Sequence, residues 1–167
     1  MKLYRFSPIQ DQAELFEAIK YIHIACHKLC KQSFNSYLPV AGNIGVFCHY
    51  PEEFDRLVKI RKSLTKPSEN PAEKYFELYN PIIVQATDSI PEATYKHLYI
   101  RRSDIYRSQV GDLDFNLGEQ EYEELKASLR DGKVIPGARI FPEERLDMVE
   151  LFDPNVDVLA YVNTKKW

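Results

Sequence analysis

The segment YKHLYIRRSDIYRSQVGDLDFNL, residues 95–117, contains two short stretches in which apolar and polar side chains alternate. Leu98 and Ile100 alternate with polar residues in the first stretch, and Leu113 and Phe115 do so in the second. Side chains of a β-strand point in turn to its two faces, so this pattern predicts two strands that each bury one face. If the two strands are neighbours in one sheet, their polar side chains lie together on the opposite face.

That polar face is the candidate site. Histidine is the side chain whose ordinary pKa lies near neutrality, so His97 could act as a general acid or base. Asp112 or Asp114 could orient its imidazole, and the Asp-x-Asp pair with the histidine could instead hold a divalent cation. These three residues are the expected catalytic groups. The expected substrate-binding residues are Tyr95, Tyr99, Arg101, Arg102, Tyr106 and Arg107.

The chemistry of the expected ligand follows from the arginines, because a guanidinium binds phosphate or carboxylate with paired hydrogen bonds. The leading hypothesis is therefore a ligand-binding domain that could be a small enzyme acting on an anionic or phosphorylated substrate. A solvated sheet face is the simpler alternative, in which the His, Arg and Asp side chains form surface ion pairs worth about 0 to 1 kcal/mol each.

A different class of function is open for segment 95–107. It contains four Lys or Arg residues and one Asp, interleaved with tyrosines. Basic side chains can neutralise phosphates while aromatic rings stack on bases, so this segment could belong to a non-enzymatic module that binds nucleic acid or a protein partner. Nucleic-acid binders usually have a broader basic surface than this.

Composition sets the broad class. A chain of 167 residues with 44% hydrophobic residues can bury roughly 70% of its unfolded surface in one core, so residues 1–167 are expected to form a single domain. The 22 Lys and Arg residues nearly balance the 25 Asp and Glu residues, which excludes a strongly basic or acidic protein. The oligomeric state is not predicted by these features.

Several features favour the cytoplasm. No apolar run approaches the roughly 20 residues that span a bilayer, and residues 1–5 lack the apolar core of a signal peptide. Three cysteines without a disulfide-framework spacing are typical of a reducing compartment. A cytoplasmic protein without membrane association is therefore expected.

Periodicity predicts the remaining elements. Asp11 can cap a long first helix, Pro51 with two glutamates can begin a second, and Gly132 follows a third. The predicted helices are residues 11–32, 51–64 and 119–130. The predicted strands are residues 3–6, 43–50, 81–86, 95–101, 112–117, 138–141, 146–152 and 156–162. We expect an α+β fold with a mostly antiparallel sheet, a surface loop at 65–72 and a flexible tail at 163–167.

This order becomes two strand-helix-strand-strand-strand modules if the second helix is an insertion. It resembles the paired modules of the vicinal oxygen chelate superfamily, whose metalloenzymes hold a metal with His and Glu on module strands. Glu150–Asn155, sequence ELFDPN, is similar to the closing hairpin of that superfamily. The last strand carries Leu159, Ala160 and Tyr161 where the carboxylate is expected, and the first strand carries no histidine, so the resemblance implies a topology and no ligand set.

All cysteines and three of the four histidines lie between residues 23 and 49. Such clusters are typical of zinc sites, which need about four N or S ligands. Four residues along two turns of one helix cannot converge on one ion, so packing in the core is the favoured interpretation and metal binding the alternative. The residues concerned are His23, Cys26, His27, Cys30, Cys48 and His49.

Overall fold

A computed structural model describes residues 4–140 and 148–167. The described residues form three helices and one seven-stranded sheet. The helices are α1 (Gln12–Phe34), α2 (Pro51–Leu64) and α3 (Glu119–Arg130). The strands are β1 (Val40–Phe47), β2 (Phe76–Val84), β3 (Ala93–Arg101), β4 (Gly111–Asn116), β5 (Ala138–Ile140), β6 (Val149–Leu151) and β7 (Val158–Asn163).

The helices begin and end where their end signals predict. The Asp11 carboxylate accepts a hydrogen bond from the backbone N–H of Glu14 at 2.9 Å, and α1 ends at Asn35, whose φ is +54°. At the start of α2, the Glu53 carboxylate accepts the backbone N–H of His49 at 2.8 Å. The three predicted helices are confirmed to within two residues at each end.

The strand order is β2-β3-β1-β4-β7-β6-β5, and the sheet is mixed. β1 pairs parallel with β3, and β4 pairs parallel with β7, whereas the central pair β1–β4 is antiparallel. The prediction of a mostly antiparallel sheet is therefore wrong. Each parallel pair is joined through a helix, because parallel neighbours need a long crossover connection.

The topology contains one complete strand-helix-strand-strand-strand module, β4-α3-β5-β6-β7. In the first half, the corresponding elements are β1, α2, β2 and β3, so α2 is the module helix and α1 is the additional one. The sequence pattern predicted the reverse, with α2 as the inserted helix. Of the strand predicted at residues 3–6, Leu3 lies outside the described residues and Tyr4–Phe6 form no strand.

One face of the sheet packs against the helices. Buried side chains of all three helices join alternate strand residues in one continuous core that includes Ile22 of α1, Leu57 of α2 and Tyr122 of α3. α1 contacts chiefly β4 and β7, and α2 contacts chiefly β3. The predicted inward residues Leu98, Ile100, Leu113 and Phe115 are all in this core. None of the described helices is long and apolar enough to cross a membrane.

Several predicted segments differ from the structure in extent or contacts. Among them, β1 begins three residues before the predicted strand 43–50, and β2 begins five residues before the predicted strand 81–86. β5 and β6 are shorter than the predicted strands 138–141 and 146–152, whose residues 141 and 146–147 lie outside the described residues. Residues 66–71 of the predicted loop are exposed. The predicted flexible tail, 163–167, lies against the sheet, where the backbone N–H of Trp167 donates to the Ala41 carbonyl at 2.8 Å.

Candidate functional site

A concave cup of about 920 Å³ lies on the sheet and is lined by side chains of β1, β3, β4, β6 and β7. Part of its rim comes from the segment before β2, residues 72–75, and from the tail residues 163–167. Carboxyl groups lie on its floor, arginines at one end and aromatic rings along one wall. The lining residues used below are Phe47, Tyr75, Tyr99, Arg101, Arg107, Asp112, Asp114, Asn163 and Trp167.

Asp112 on β4 occupies the floor of the cup. It is 7% exposed, and its Oδ1 has no hydrogen-bond partner among the described residues. Its register partner on β1 is Gly45, and a β-carbon at position 45 would overlap this carboxyl group. Burial and the neighbouring Asp114 raise the pKa of Asp112 to about 8, although Arg101 and Arg107 oppose the shift. Asp112 can therefore gain or lose a proton near neutral pH.

Asp114 lies two residues further along the same strand and is also 7% exposed. Asn163 of β7 donates a side-chain hydrogen bond to its Oδ2 at 3.1 Å. Burial raises the pKa of Asp114, and hydrogen bonds from Asn163 and Asn43 partly offset the rise. The two carboxyl groups thus differ: Asp114 is held by amides, and Asp112 keeps an unpaired oxygen.

Two guanidinium groups lie near the same phenylalanine ring at one end of the cup. Arg101 and Arg107 lie 4.9 and 5.8 Å from the centroid of the same Phe47 ring. Arg107 forms a long ion pair with Asp104, 3.9 Å between Nε and Oδ2. No ion pair joins Arg101 to a carboxylate within the described ranges. This end therefore carries a positive charge that the described carboxylates do not fully balance.

Aromatic rings form one wall. Tyr75 lies between Tyr99 and Trp167, with ring centroids 5.2 and 4.6 Å away. Burial raises the pKa of Tyr75 and of Tyr99, so both phenols are neutral at physiological pH. The Lys165 ammonium lies over the Trp167 ring, 3.4 Å from its centroid. The wall presents uncharged ring surface along the cup.

The predicted pairing of His97 with the aspartates does not occur. β1 lies between β3 and β4, so the runs 95–101 and 112–117 are not neighbouring strands. His97 is paired with Asn43, and Cα atoms two strands apart are about 10 Å from each other. Its imidazole lies 4.9 Å from the Trp167 ring, and burial lowers its pKa. Its predicted role as acid or base stays a prediction.

The predicted substrate-binding residues divide into three groups. Tyr99, Arg101 and Arg107 line the cup. Tyr95 is fully buried in the core on the helix side, where its hydroxyl is 2.8 Å from Nδ1 of His23. The strand alternation breaks between Tyr95 and His97, where the register between β2 and β3 shifts, and this break turns Tyr95 away from the cup.

The other two predicted contacts lie outside the cup. Arg102 is exposed, and Tyr106 is 89% exposed in the loop after β3. Since Tyr95 is in the core and Tyr99 in the cup, Tyr106 is the one exposed tyrosine of segment 95–107. The segment therefore does not form a continuous basic and aromatic surface.

The cysteine and histidine residues between 23 and 49 are all buried, and most of them form hydrogen bonds within the protein. Nδ1 of His27 is 2.7 Å from the His23 carbonyl, and the Cys26 thiol donates to the Leu159 carbonyl at 3.2 Å. Nδ1 of His49 is 2.5 Å from the Ser7 hydroxyl. Within residues 4–140 and 148–167, no group of three or more His, Cys, Asp or Glu residues is placed to hold a metal ion.

A metal held by His and Glu on module strands also does not fit the cup. The side chains that β1 and β7 place there include Phe47, Leu159 and Tyr161, which are neither histidine nor carboxylate. The carboxyl groups that the strands place in the cup are those of Asp112 and Asp114 on β4 and that of Glu150 on β6, which forms an ion pair with Arg139. The donor set expected from the resemblance is thus missing from these strands.

Sequence reasoning missed the residues that reach the cup from distant parts of the chain. These are Phe47, Tyr75, Arg139, Glu150, Phe152, Tyr161, Asn163 and Trp167. Arg139 and Glu150 form an ion pair at 2.5 Å between β5 and β6. One local signal was available: Gly45 lies within the alternating strand Ile44–Cys48, and glycine inside a strand often marks a close approach.

No protein-family model and no curated protein matches this sequence. Among solved structures, a protein described as Structural Genomics, Protein EC4020 is 14% identical over 98% of this chain and 94% of its own, with a TM-score of 0.48. A variant of Streptomyces coelicolor methylmalonyl-CoA epimerase in complex with 2-nitronate-propionyl-CoA is 17% identical over 77% of this chain and 98% of its own, with a TM-score of 0.35. Neither similarity assigns a residue or a function to this chain.

Proposed function

We propose that the cup binds a small anionic ligand and that Asp112 exchanges a proton with it. The observation that carries the proposal is the buried Asp112 carboxyl group, whose Oδ1 is unpaired within the described residues while Arg101 and Arg107 lie close enough to lower its pKa. Buried polar atoms without a partner are uncommon in folded proteins, and such an atom at the floor of a cup is typical of a ligand site.

The anion is supported by Arg101. Its guanidinium has no carboxylate partner in the described part of the chain, and it lies over Phe47 beside Arg107. Guanidinium groups bind carboxylate or phosphate with two parallel hydrogen bonds, and the low dielectric of a cup strengthens such pairs. An anion placed there would balance the charge of both arginines.

The proton exchange is supported by the environment of Asp112. An efficient acid or base has a pKa near the working pH, and a value of about 8 meets that requirement. Asp114 contributes by raising the pKa of its neighbour, since two close carboxyl groups resist ionising together. In this proposal Asp112 is the acid or base and Asp114 is a positioning residue.

His97 lies beside the proposed site. Its Nδ1 is buried and has no partner among the described residues. Its ring contacts Trp167, which in turn contacts Tyr75 of the aromatic wall. His97 does not line the cup, so the proposal gives it no contact with the ligand. We propose no second function, because the segment 95–107 exposes one tyrosine and not a row of stacking rings.

The test uses matched arginine variants. Dissociation constants for succinate, inorganic phosphate and 2-naphthoate would be measured by calorimetry for the wild type, Arg101→Gln and Arg102→Gln. Both substitutions remove one positive charge from adjacent residues, but only Arg101 lines the cup. We expect at least one anion to bind the wild type and Arg102→Gln equally, and Arg101→Gln at least about tenfold more weakly, which is 1.4 kcal/mol.

The proposed proton exchange by Asp112 is tested by the same calorimetry. Repeating the titration in buffers of different ionisation enthalpy gives the number of protons that are taken up or released on binding. We expect a non-zero number for the wild type near pH 8 and a number near zero for Asp112→Asn. Equal binding by the two arginine variants, or no binding of any of the three anions, would contradict the proposed function.

A further inference from the structure

We infer that the ligand of the cup is an aromatic oxyanion, a planar ring system that carries a carboxylate or a similar acidic group. This inference rests on the proposed function and names the class of ligand. It combines two features that lie side by side: the aromatic wall formed by Tyr99, Tyr75 and Trp167, and the guanidinium groups of Arg101 and Arg107.

The aromatic wall offers a ligand an extended ring surface. Tyr75 contacts both Tyr99 and Trp167, so the three rings form one extended apolar surface. Aromatic rings favour offset or edge-on contacts with other rings, worth about 0.5 to 1.5 kcal/mol per pair beyond the buried area. The outer ring, Trp167, is already covered on one side by the Lys165 ammonium. Tyr75 and Tyr99 are therefore the rings that a ligand would contact.

The charge of the wall also favours this ligand. Burial raises the pKa values of Tyr75 and Tyr99, so these phenols stay protonated and uncharged. A neutral wall does not repel an anion, whereas tyrosinates would. The carboxyl group of Asp112, when protonated, donates a hydrogen bond to an anionic oxygen instead of repelling it.

The position of the wall relative to the arginines favours the same ligand. Tyr99 and Arg101 are two residues apart on β3, so they share a face at a spacing of about 7 Å. A ring that packs on Tyr99 would therefore place a substituent at Arg101, above the Phe47 ring. The opposite orientation would put the anion beside the aromatic wall and away from both guanidinium groups.

The size of the cup suits a ring system. Its volume of about 920 Å³ is at the upper end of the range of small-molecule pockets, roughly 300 to 1,000 Å³. A ligand as small as acetate would leave the aromatic wall without a partner. A fused two-ring system that packs on Tyr99 can span the roughly 7 Å to Arg101.

The experiment compares three probes that differ in one property each. 2-Naphthoate is aromatic and charged, decahydro-2-naphthoate has the same carbon skeleton and charge without aromaticity, and 2-naphthamide has the same rings without charge. Dissociation constants would be measured by nuclear magnetic resonance titration. We expect 2-naphthoate to bind at least about tenfold more tightly than either of the others.

Two tyrosine variants provide the matched control. Tyr75→Leu removes the central ring of the wall, whereas Tyr79→Leu makes the same change at a residue on β2 that is 56% exposed and does not line the cup. Tyr75→Leu should weaken 2-naphthoate binding about tenfold and leave decahydro-2-naphthoate binding nearly unchanged. Tyr79→Leu should change neither.

The outcomes separate the inference from the proposed function. Equal binding of the aromatic and the saturated acid overturns the aromatic inference and leaves the proposed function standing. Equal binding of 2-naphthoate and 2-naphthamide overturns the anionic ligand, and with it both proposals. A failure of all three probes to bind at millimolar concentration overturns the aromatic inference, and the proposed function falls with it only if succinate and inorganic phosphate also fail to bind.

Discussion

Gly45 and Asp112 are register partners on the central antiparallel strands β1 and β4, and the carboxyl group of Asp112 occupies the space where a side chain of residue 45 would lie. Tyr99 is the register partner of Gly45 on its other side. The missing side chain therefore opens a niche between β3 and β4, and the only acidic side chain with an unpaired buried oxygen in the described residues lies in it.

The first prediction concerns this niche. Gly45→Ala should destabilise the fold by about 2 to 3 kcal/mol, because its β-carbon overlaps the Asp112 carboxyl group and overpacking usually costs 1 to 3 kcal/mol. In an Asp112→Ala background the same change should cost less than half as much. Urea unfolding of the four proteins measures this coupling.

Gly118→Ala is the control, since a β-carbon there meets only the Glu121 carboxylate at 3.5 Å and the residue precedes α3. It should cost less than about 1 kcal/mol. An unchanged cost of Gly45→Ala in the Asp112→Ala background would show that the carboxyl group is not what fills the niche.

The second prediction concerns the pH dependence of stability. Burial raises the pKa of Asp112 from its ordinary value of 3.8 to about 8 in the folded protein, so the unfolded chain releases this proton first as the pH rises. The contribution of Asp112 to folding stability is therefore complete below about pH 4 and is lost between pH 4 and 8. An asparagine at this position cannot ionise, so Asp112→Asn should not lose folding stability over this pH range.

The measurement is the free energy of unfolding of Asp112→Asn and wild type at pH 5 and pH 8. The variant should gain on the order of 3 kcal/mol relative to wild type between the two values, since one pKa unit corresponds to about 1.4 kcal/mol. The exposed Asp88→Asn should show no such gain. A difference between Asp112→Asn and wild type that does not change with pH would mean that the buried carboxyl group is ionised.

The third prediction separates Tyr95 from the ligand site. Tyr95→Phe removes the hydrogen bond with His23 and leaves a buried imidazole nitrogen without its partner, so it should cost about 1 to 3 kcal/mol. Binding of 2-naphthoate should remain within twofold of wild type, because Tyr95 faces the helices. Calorimetry at a temperature where both proteins are folded checks the second part, and a tenfold loss of binding would place Tyr95 at the site after all.

The fourth prediction concerns the tail. Trp167 is the only tryptophan of the chain and packs against Tyr75 and His97, so its fluorescence reports on the cup wall. Acrylamide should quench it weakly in the folded wild type and more strongly in Tyr75→Ala. Quenching in the folded wild type that equals that of the urea-unfolded chain would show that the tail is free, as the sequence alone predicts.

The helices and most strands could be predicted because their signals are local. Asp11, Pro51 and Gly132 mark helix ends within a few residues of the helices they limit, and alternation marks the buried faces of β3 and β4. The α+β class followed from these elements. The strand order did not follow, because no local pattern states that β1 lies between β3 and β4, and the two parallel pairs depend on crossovers through helices.

The candidate site was predicted in part for the same reason. Asp112, Asp114, Tyr99, Arg101 and Arg107 belong to the two alternating runs and the loop between them, and all five line the cup. Tyr95 was misplaced because a register shift is invisible in the sequence. The wall residues were missed because they come from a loop and a tail with no periodic pattern, and they meet only in the folded protein.

The most direct test of the account is a two-dimensional ¹⁵N–¹H spectrum of the protein during titration with 2-naphthoate. We predict that the largest changes in backbone amide shifts will occur at Gly45, Tyr99, Arg101 and Asp112, which surround the niche and the arginine end of the cup. In Arg101→Gln, at least about tenfold more probe should be needed to produce these changes. Shift changes confined to exposed residues such as Ile105 and Tyr106, or no changes at saturating concentrations of the probe, would contradict the assignment of the cup as the ligand site.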